Sequence, residues 1–143
     1  MLNKTAIQQN ALYIIFTQAL IAMFGSLFFS EAMNLPPCLL CWYQRIAMYP
    51  LVVIAAVGIL RDDRRAYQYG LPLSIAGMAL AIYHNLLYYA VIPEVAAPCR
   101  LGVSCTTKTI EWLGFVTIPL LSLAAFTLIT FCFLAQRWAG EKK

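Results

Sequence analysis

Two cysteines three residues apart, Cys38 and Cys41, directly follow Pro36-Pro37 and lead into a long apolar stretch that carries Arg45 one turn further on. Thiols at this spacing can cycle between dithiol and disulfide or ligate a metal. The proline pair marks a helix start, where backbone amides are unbonded anyway. Amides and dipole near such a start favour the thiolate, the nucleophilic form of cysteine. Cys38, Cys41 and Arg45 fall at i, i+3 and i+7, one stripe of a helix. An Arg within a membrane span costs about 2.5–3.5 kcal/mol at the midplane. Its retention points to function: stabilising a thiolate on Cys41, or the charge developing on an electron acceptor bound beside it. The alternatives are snorkelling to the headgroups or pairing with Glu31. A second pair, Cys99 and Cys105, lies in a stretch rich in Pro, Gly, Ser and Thr between Pro93 and Thr109, which reads as an exposed, flexible loop.

These residues need elements to hold them. The chain has 143 residues, 62% hydrophobic and 11% charged, far from the quarter or so of charged residues usual in soluble domains. Four apolar windows, Ala11 to Ser30, Trp42 to Leu60, Leu71 to Ile92 and Trp112 to Leu134, are each about 20 residues long, enough to cross about 30 Å of hydrocarbon. In lipid the backbone must satisfy its own hydrogen bonds, so the windows are helices. The expectation is an all-α membrane protein: one domain, residues 1–143, forming a four-transmembrane-helix bundle. The first window is longer than a secretory h-region and lacks a small-x-small cleavage site, so it reads as a retained anchor.

Lys4, Arg61, Arg64, Arg65, Arg137, Lys142 and Lys143 gather on one side of the spans, against Arg45, Arg100 and Lys108 on the other. The excess of Lys and Arg predicts both termini in the cytoplasm. The net charge of +4 is this asymmetry around helix ends, which excludes a nucleic-acid footprint and leaves the lipid bilayer as the surrounding partner.

With four spans, the first and third interhelical loops emerge on the same face, so Cys38, Cys41, Cys99 and Cys105 share it. The charge rule puts that face outside the cytoplasm, where disulfides persist. Cys132, about 20 residues into the fourth window, lies about 30 Å from them and reads as a small core residue. A disulfide in the loop is within reach of a soluble partner, and Cys38-Cys41 within reach of a lipid-soluble oxidant; thiol-disulfide exchange between the pairs makes a relay. The alternative from another class is a membrane metal-binding or metal-transfer protein holding Zn²⁺ or Cu(I) on the same four thiolates. Structural disulfides in a tetraspan scaffold are a third reading.

Cys-Leu-Leu-Cys-Trp-Tyr-Gln-Arg at 38–45, with a cysteine pair in the later external loop, resembles the signature of the disulfide bond formation protein B (DsbB) family. The five residues between Cys99 and Cys105 resemble the short, BdbC-like form of bacilli. A vitamin K epoxide reductase-like protein places its loop cysteines first, the reverse order. The resemblance implies a quinone-dependent protein-disulfide oxidoreductase of the bacterial cytoplasmic membrane, multi-pass, with ubiquinone or menaquinone from the membrane pool as acceptor and no metal. It implies a thioredoxin-like (DsbA-like) extracytoplasmic dithiol oxidase as partner; that quinone-coupled logic belongs to the known oxidising system and is not read from spacing. By the same resemblance Cys38 and Cys41 are the quinone-coupled pair, Cys99 and Cys105 exchange with the partner, and Arg45 attends the quinone.

His84, about eight residues inside the third window beside Asn85, is a candidate to hydrogen-bond a quinone carbonyl or relay its proton, or to bond across helices as structural glue. Trp42, Tyr83, Tyr88, Tyr89 and Trp112 read as an interfacial aromatic belt. Pro119 is expected to bend the fourth helix, and Gln18 has no assigned role.

Overall fold

A computed structural model of the chain describes residues 4–99, 103–106 and 116–141. Helices α1 (Lys4–Leu27), α2 (Leu39–Leu60), α3 (Tyr67–Tyr88) and α4 (Ile118–Glu141) account for most of them. All four are long and apolar enough to cross a membrane, and no strand occurs among the described residues. Each helix packs on the next in sequence and α4 returns to α1, closing a four-helix bundle.

The boundaries shift from those of the hydropathy windows. α3 begins before Leu71 and stops at Tyr88, which puts His84 one turn from the end. Its last turn closes through Ala90, held at φ 56°, with Val91 N–H bonded to Leu86 C=O at 2.9 Å. α4 begins at Ile118 rather than Trp112, a residue that, like Arg100 and Lys108, lies outside the described residues. Thr117 caps it, its Oγ1 accepting from the Leu120 N–H at 3.4 Å. Pro119 therefore sits in the first turn and starts the helix instead of bending it. Measured from Ile118, Cys132 is fourteen residues along, about 21 Å, and is buried in the main core.

The close packing of α3 on α4 follows from small residues. Gly70 and Gly77, seven apart, face Phe133 and Phe126, also seven apart, and a Cβ at either glycine would overlap the ring opposite. Both rings are fully buried. Small residues let helices approach in lipid, where packing replaces the hydrophobic drive between helices. The second cluster, at the cysteine end, is separate and contains Cys38, Leu40, Leu87, Ala97 and Cys105.

Candidate functional site

After α1 the chain runs through a π-helical turn, Phe28–Ala32, and a left-handed Asn34 (φ 51°) into Pro36-Pro37. The prolines precede α2 rather than occupying its first turn. Cys38 is the N-cap, extended at φ −71° and ψ 169°, and its Sγ accepts from the Cys41 N–H at 3.4 Å. That capping contact aims both thiols inward, with the two Sγ atoms 2.8 Å apart. Cys99 and Cys105 are joined by a disulfide, with Cα atoms 5.8 Å apart.

The two pairs meet. The Sγ atoms of Cys38, Cys99 and Cys105 all lie within 4.8 Å of one another. The described part of the loop is largely exposed, as the sequence suggested, but it is pinned to the bundle at two points. The Tyr83 hydroxyl donates to Ala96 C=O at 2.8 Å, and Ala97 and Cys105 are buried. Cys99 is only half-buried, so it is the more accessible of its pair.

His84 reaches this junction from α3. Ser122 Oγ donates to Gln44 Oε1 at 2.8 Å, and the Gln44 amide nitrogen faces His84 Nδ1 at 3.3 Å. An amide NH₂ can only donate, so Nδ1 accepts and the ring proton resides on Nε2. Nε2–H then points at the Cys105 carbonyl at 3.3 Å and towards Cys38 Sγ at 3.9 Å. Donation from the Cys41 thiol, then from His84 and the Cys41 amide, holds the Cys38 thiol well below its ordinary pKa, outweighing burial, which opposes it. Asn85, beside His84, is structural: its Nδ2 donates to Ala81 C=O and Pro119 C=O, both at 2.8 Å, tying α3 to the start of α4.

Arg45 is buried and does not pair with Glu31. Its Nε donates to Ser26 Oγ and its Nη2 to Ser26 C=O, each at 2.7 Å, and its guanidinium lies 5.4 Å from the Trp42 ring centroid. No carboxylate neutralises it among the described residues. Trp42 and Tyr89 are exposed as a belt requires, whereas Tyr88 is buried.

A cleft of about 320 Å³ opens beside the thiols, lined by Cys38, Cys41, Arg45 and Tyr49 of α2, by Gln18 and Ser26 of α1, and by apolar residues such as Met48, Ala125 and Phe126. Such a cleft, apolar with a buried cation in its wall and the buried Tyr49 hydroxyl unpartnered, suits a flat apolar ring that carries hydrogen-bond acceptors. A metal centre on the same cysteines is the alternative. Cys38, Cys41 and His84 do converge within 4.8 Å. Yet two thiolates each about 2.3 Å from a tetrahedral zinc stand about 3.8 Å apart, wider than the 2.8 Å between Cys38 and Cys41. The disulfide-bonded Cys99 and Cys105 offer no thiolates.

Sequence reasoning missed Ser26, Gln44, Tyr49 and Ser122. Polar side chains inside apolar spans were the available signal, and Gln44 and Tyr49 lie three and eight residues beyond Cys41.

Residues 8–138 match the family described as disulfide bond formation protein DsbB. The chain is 48% identical over 118 residues to disulfide bond formation protein C of Bacillus subtilis (strain 168), covering 82% of this chain and 86% of that protein. It is 47% identical over 114 residues to a probable disulfide formation protein C of Halalkalibacterium halodurans, covering 80% and 83%. A probable disulfide formation protein of Metapseudomonas resinovorans is 42% identical over 121 residues, covering 84% of each chain. No solved structure matches. With the family match running through all four helices and both cysteine pairs, this chain belongs to the DsbB family, in its short, disulfide-formation-protein-C-like form.

Proposed function

We propose that the chain is a membrane thiol:quinone oxidoreductase that reoxidises an extracytoplasmic, thioredoxin-like dithiol oxidase and thereby supports disulfide bond formation. The observation that carries this reading is the junction of Cys38 with Cys99 and Cys105 within 4.8 Å, while Cys41 and Arg45 line the adjoining cleft. The family and the names of its relatives support a role in disulfide formation.

In the proposed sequence a reduced partner attacks the loop disulfide at Cys99, the more accessible sulfur, through a mixed disulfide. The partner's second thiolate resolves that bond, so the partner leaves as a disulfide and Cys99 and Cys105 remain as a dithiol. A loop thiolate then attacks Cys38 of an oxidised Cys38-Cys41 pair, releasing Cys41 as a thiolate facing the cleft and Arg45. The second loop thiol closes the Cys99-Cys105 disulfide and frees Cys38, whose thiolate is stabilised by Cys41, His84 and the N-cap amide. Gln44 and Ser122 hold His84 in the tautomer that donates there. Arg45 and the apolar walls of the cleft would hold a quinone, which when bound would take up the two electrons and two protons that return the dithiol to a disulfide. Arg45, fixed by Ser26, stabilises negative charge at Cys41 and its acceptor. The positive-inside asymmetry supports placing the cysteine end outside the bacterial cytoplasmic membrane.

The test is turnover in detergent with a reduced thioredoxin-fold dithiol oxidase and a quinone. Quinone loss with one disulfide formed per quinone supports the reading. Partner thiols that stay reduced while quinone is present would overturn it.

A further inference from the structure

The cleft contains a hydrogen-bonding group with nothing to bond. Tyr49 Oη is buried and has no partner, whereas its neighbours in the cleft wall Arg45 and Gln44 are engaged, Arg45 with Ser26 and Gln44 with His84 and Ser122. A buried hydroxyl without a partner is unfavourable and calls for a ligand or an ordered water. Cys41, Arg45 and Tyr49 succeed one another at four-residue intervals on α2 and line the same cleft. Arg45 and Tyr49 are therefore just over one turn, about 6 Å, apart along the axis. A para-quinone carries its two carbonyl oxygens on opposite sides of the ring, one near the reacting thiol and one away from it.

We infer that Tyr49 is a quinone-binding residue: its hydroxyl donates to the ring carbonyl remote from Cys41, while Arg45 serves the carbonyl beside it. The inference rests on the quinone reading above and names the residue that selects for ligands with a second carbonyl. A ring with only the thiol-proximal carbonyl leaves Tyr49 Oη unbonded.

The test is a binding cycle on the full-length protein in detergent, with Cys41→Ser to prevent turnover. Wild-type Tyr49 and Tyr49→Phe are each titrated with a short-chain para-quinone and with the matching monoketone, following Trp fluorescence. Removing one neutral hydrogen bond is expected to weaken the quinone about three- to tenfold and to leave monoketone affinity unchanged. Phenylalanine keeps the ring and removes only an unpaired group, so the ligand-free melting temperature of Tyr49→Phe should not fall. Equal quinone affinity in both proteins would overturn the inference, with water as the hydroxyl's partner. An equal loss for both ligands would overturn it too, by showing a change of shape. If the protein carrying Tyr49 bound no quinone at all, the functional reading itself would fail, a result distinct from either.

Discussion

His84 Nε2 lies 3.9 Å from Cys38 Sγ, on the opposite helix from the thiol it faces. The imidazole thereby joins the N-cap amide and the Cys41 thiol in lowering the Cys38 thiol. A lowered pKa means that the thiolate persists as the pH falls and disappears only when the pH drops through that lowered value. In prereduced protein, Cys38 alkylation should therefore stay fast from pH 7 to pH 5, where an ordinary thiol slows about tenfold per pH unit. His84→Ala should cut the rate at pH 5 about two- to tenfold, because losing one hydrogen bond to a charged group of about 1.5–3 kcal/mol brings the Cys38 thiol up to or past that pH. Site-resolved mass spectrometry after timed alkylation reads both. A Cys38 profile in His84→Ala that matches wild type would remove His84 from the site.

The anchoring of Arg45 by Ser26 separates charge from placement. Arg45→Met should weaken quinone coupling about ten- to hundredfold, as expected for a lost charged hydrogen-bonding group. Exchange between the two cysteine pairs should continue. Ser26→Ala keeps the charge and frees only its position, so about threefold is expected. Stopped-flow quinone absorbance, alongside gel-shift trapping of the interpair disulfide, distinguishes the two steps.

Packing of α3 on α4 should be intolerant of one methyl group. Gly77→Ala drives a Cβ into Phe126 and should cost about 1–3 kcal/mol. Gly25→Ala, where a Cβ meets nothing within 4 Å, should be neutral. Thermal unfolding in one detergent compares them directly.

If the cysteines work as a relay, metal is not required. Protein purified without chelator should contain well under one equivalent of zinc or copper, and EDTA should leave quinone reduction unchanged. Stoichiometric metal held by Cys38, Cys41 and His84 would favour the metal-transfer alternative.

The spans and the cysteine positions were legible because lipid imposes length and apolarity, and because a Cys-x-x-Cys at a span boundary is rare chemistry. Helix ends were less so. Hydropathy reports compatibility with lipid, not where a backbone begins to wind; the Thr117 cap and Pro119 set the start of α4 inside an apolar run. The same limit put His84 too deep, since Ala90 ends α3 among apolar residues. The meeting of Cys38 with Cys105 was foreseen only as a shared face. Their contact depends on loop packing through Tyr83 and Ala97, which no periodicity encodes. Gln44 and Ser122 lie 78 residues apart, and their bond follows from the bundle alone.

The most direct test of the central claim is a single turnover without air. Protein reduced in advance and freed of reductant is mixed anaerobically with a quinone in detergent, and quinone absorbance is followed for wild type and Cys41→Ser. The relay predicts two quinones consumed per fully reduced wild-type chain, one for each cysteine pair in turn, and none in Cys41→Ser. Folded wild-type protein that leaves the quinone untouched, or Cys41→Ser that reduces it as well as wild type, would contradict the account.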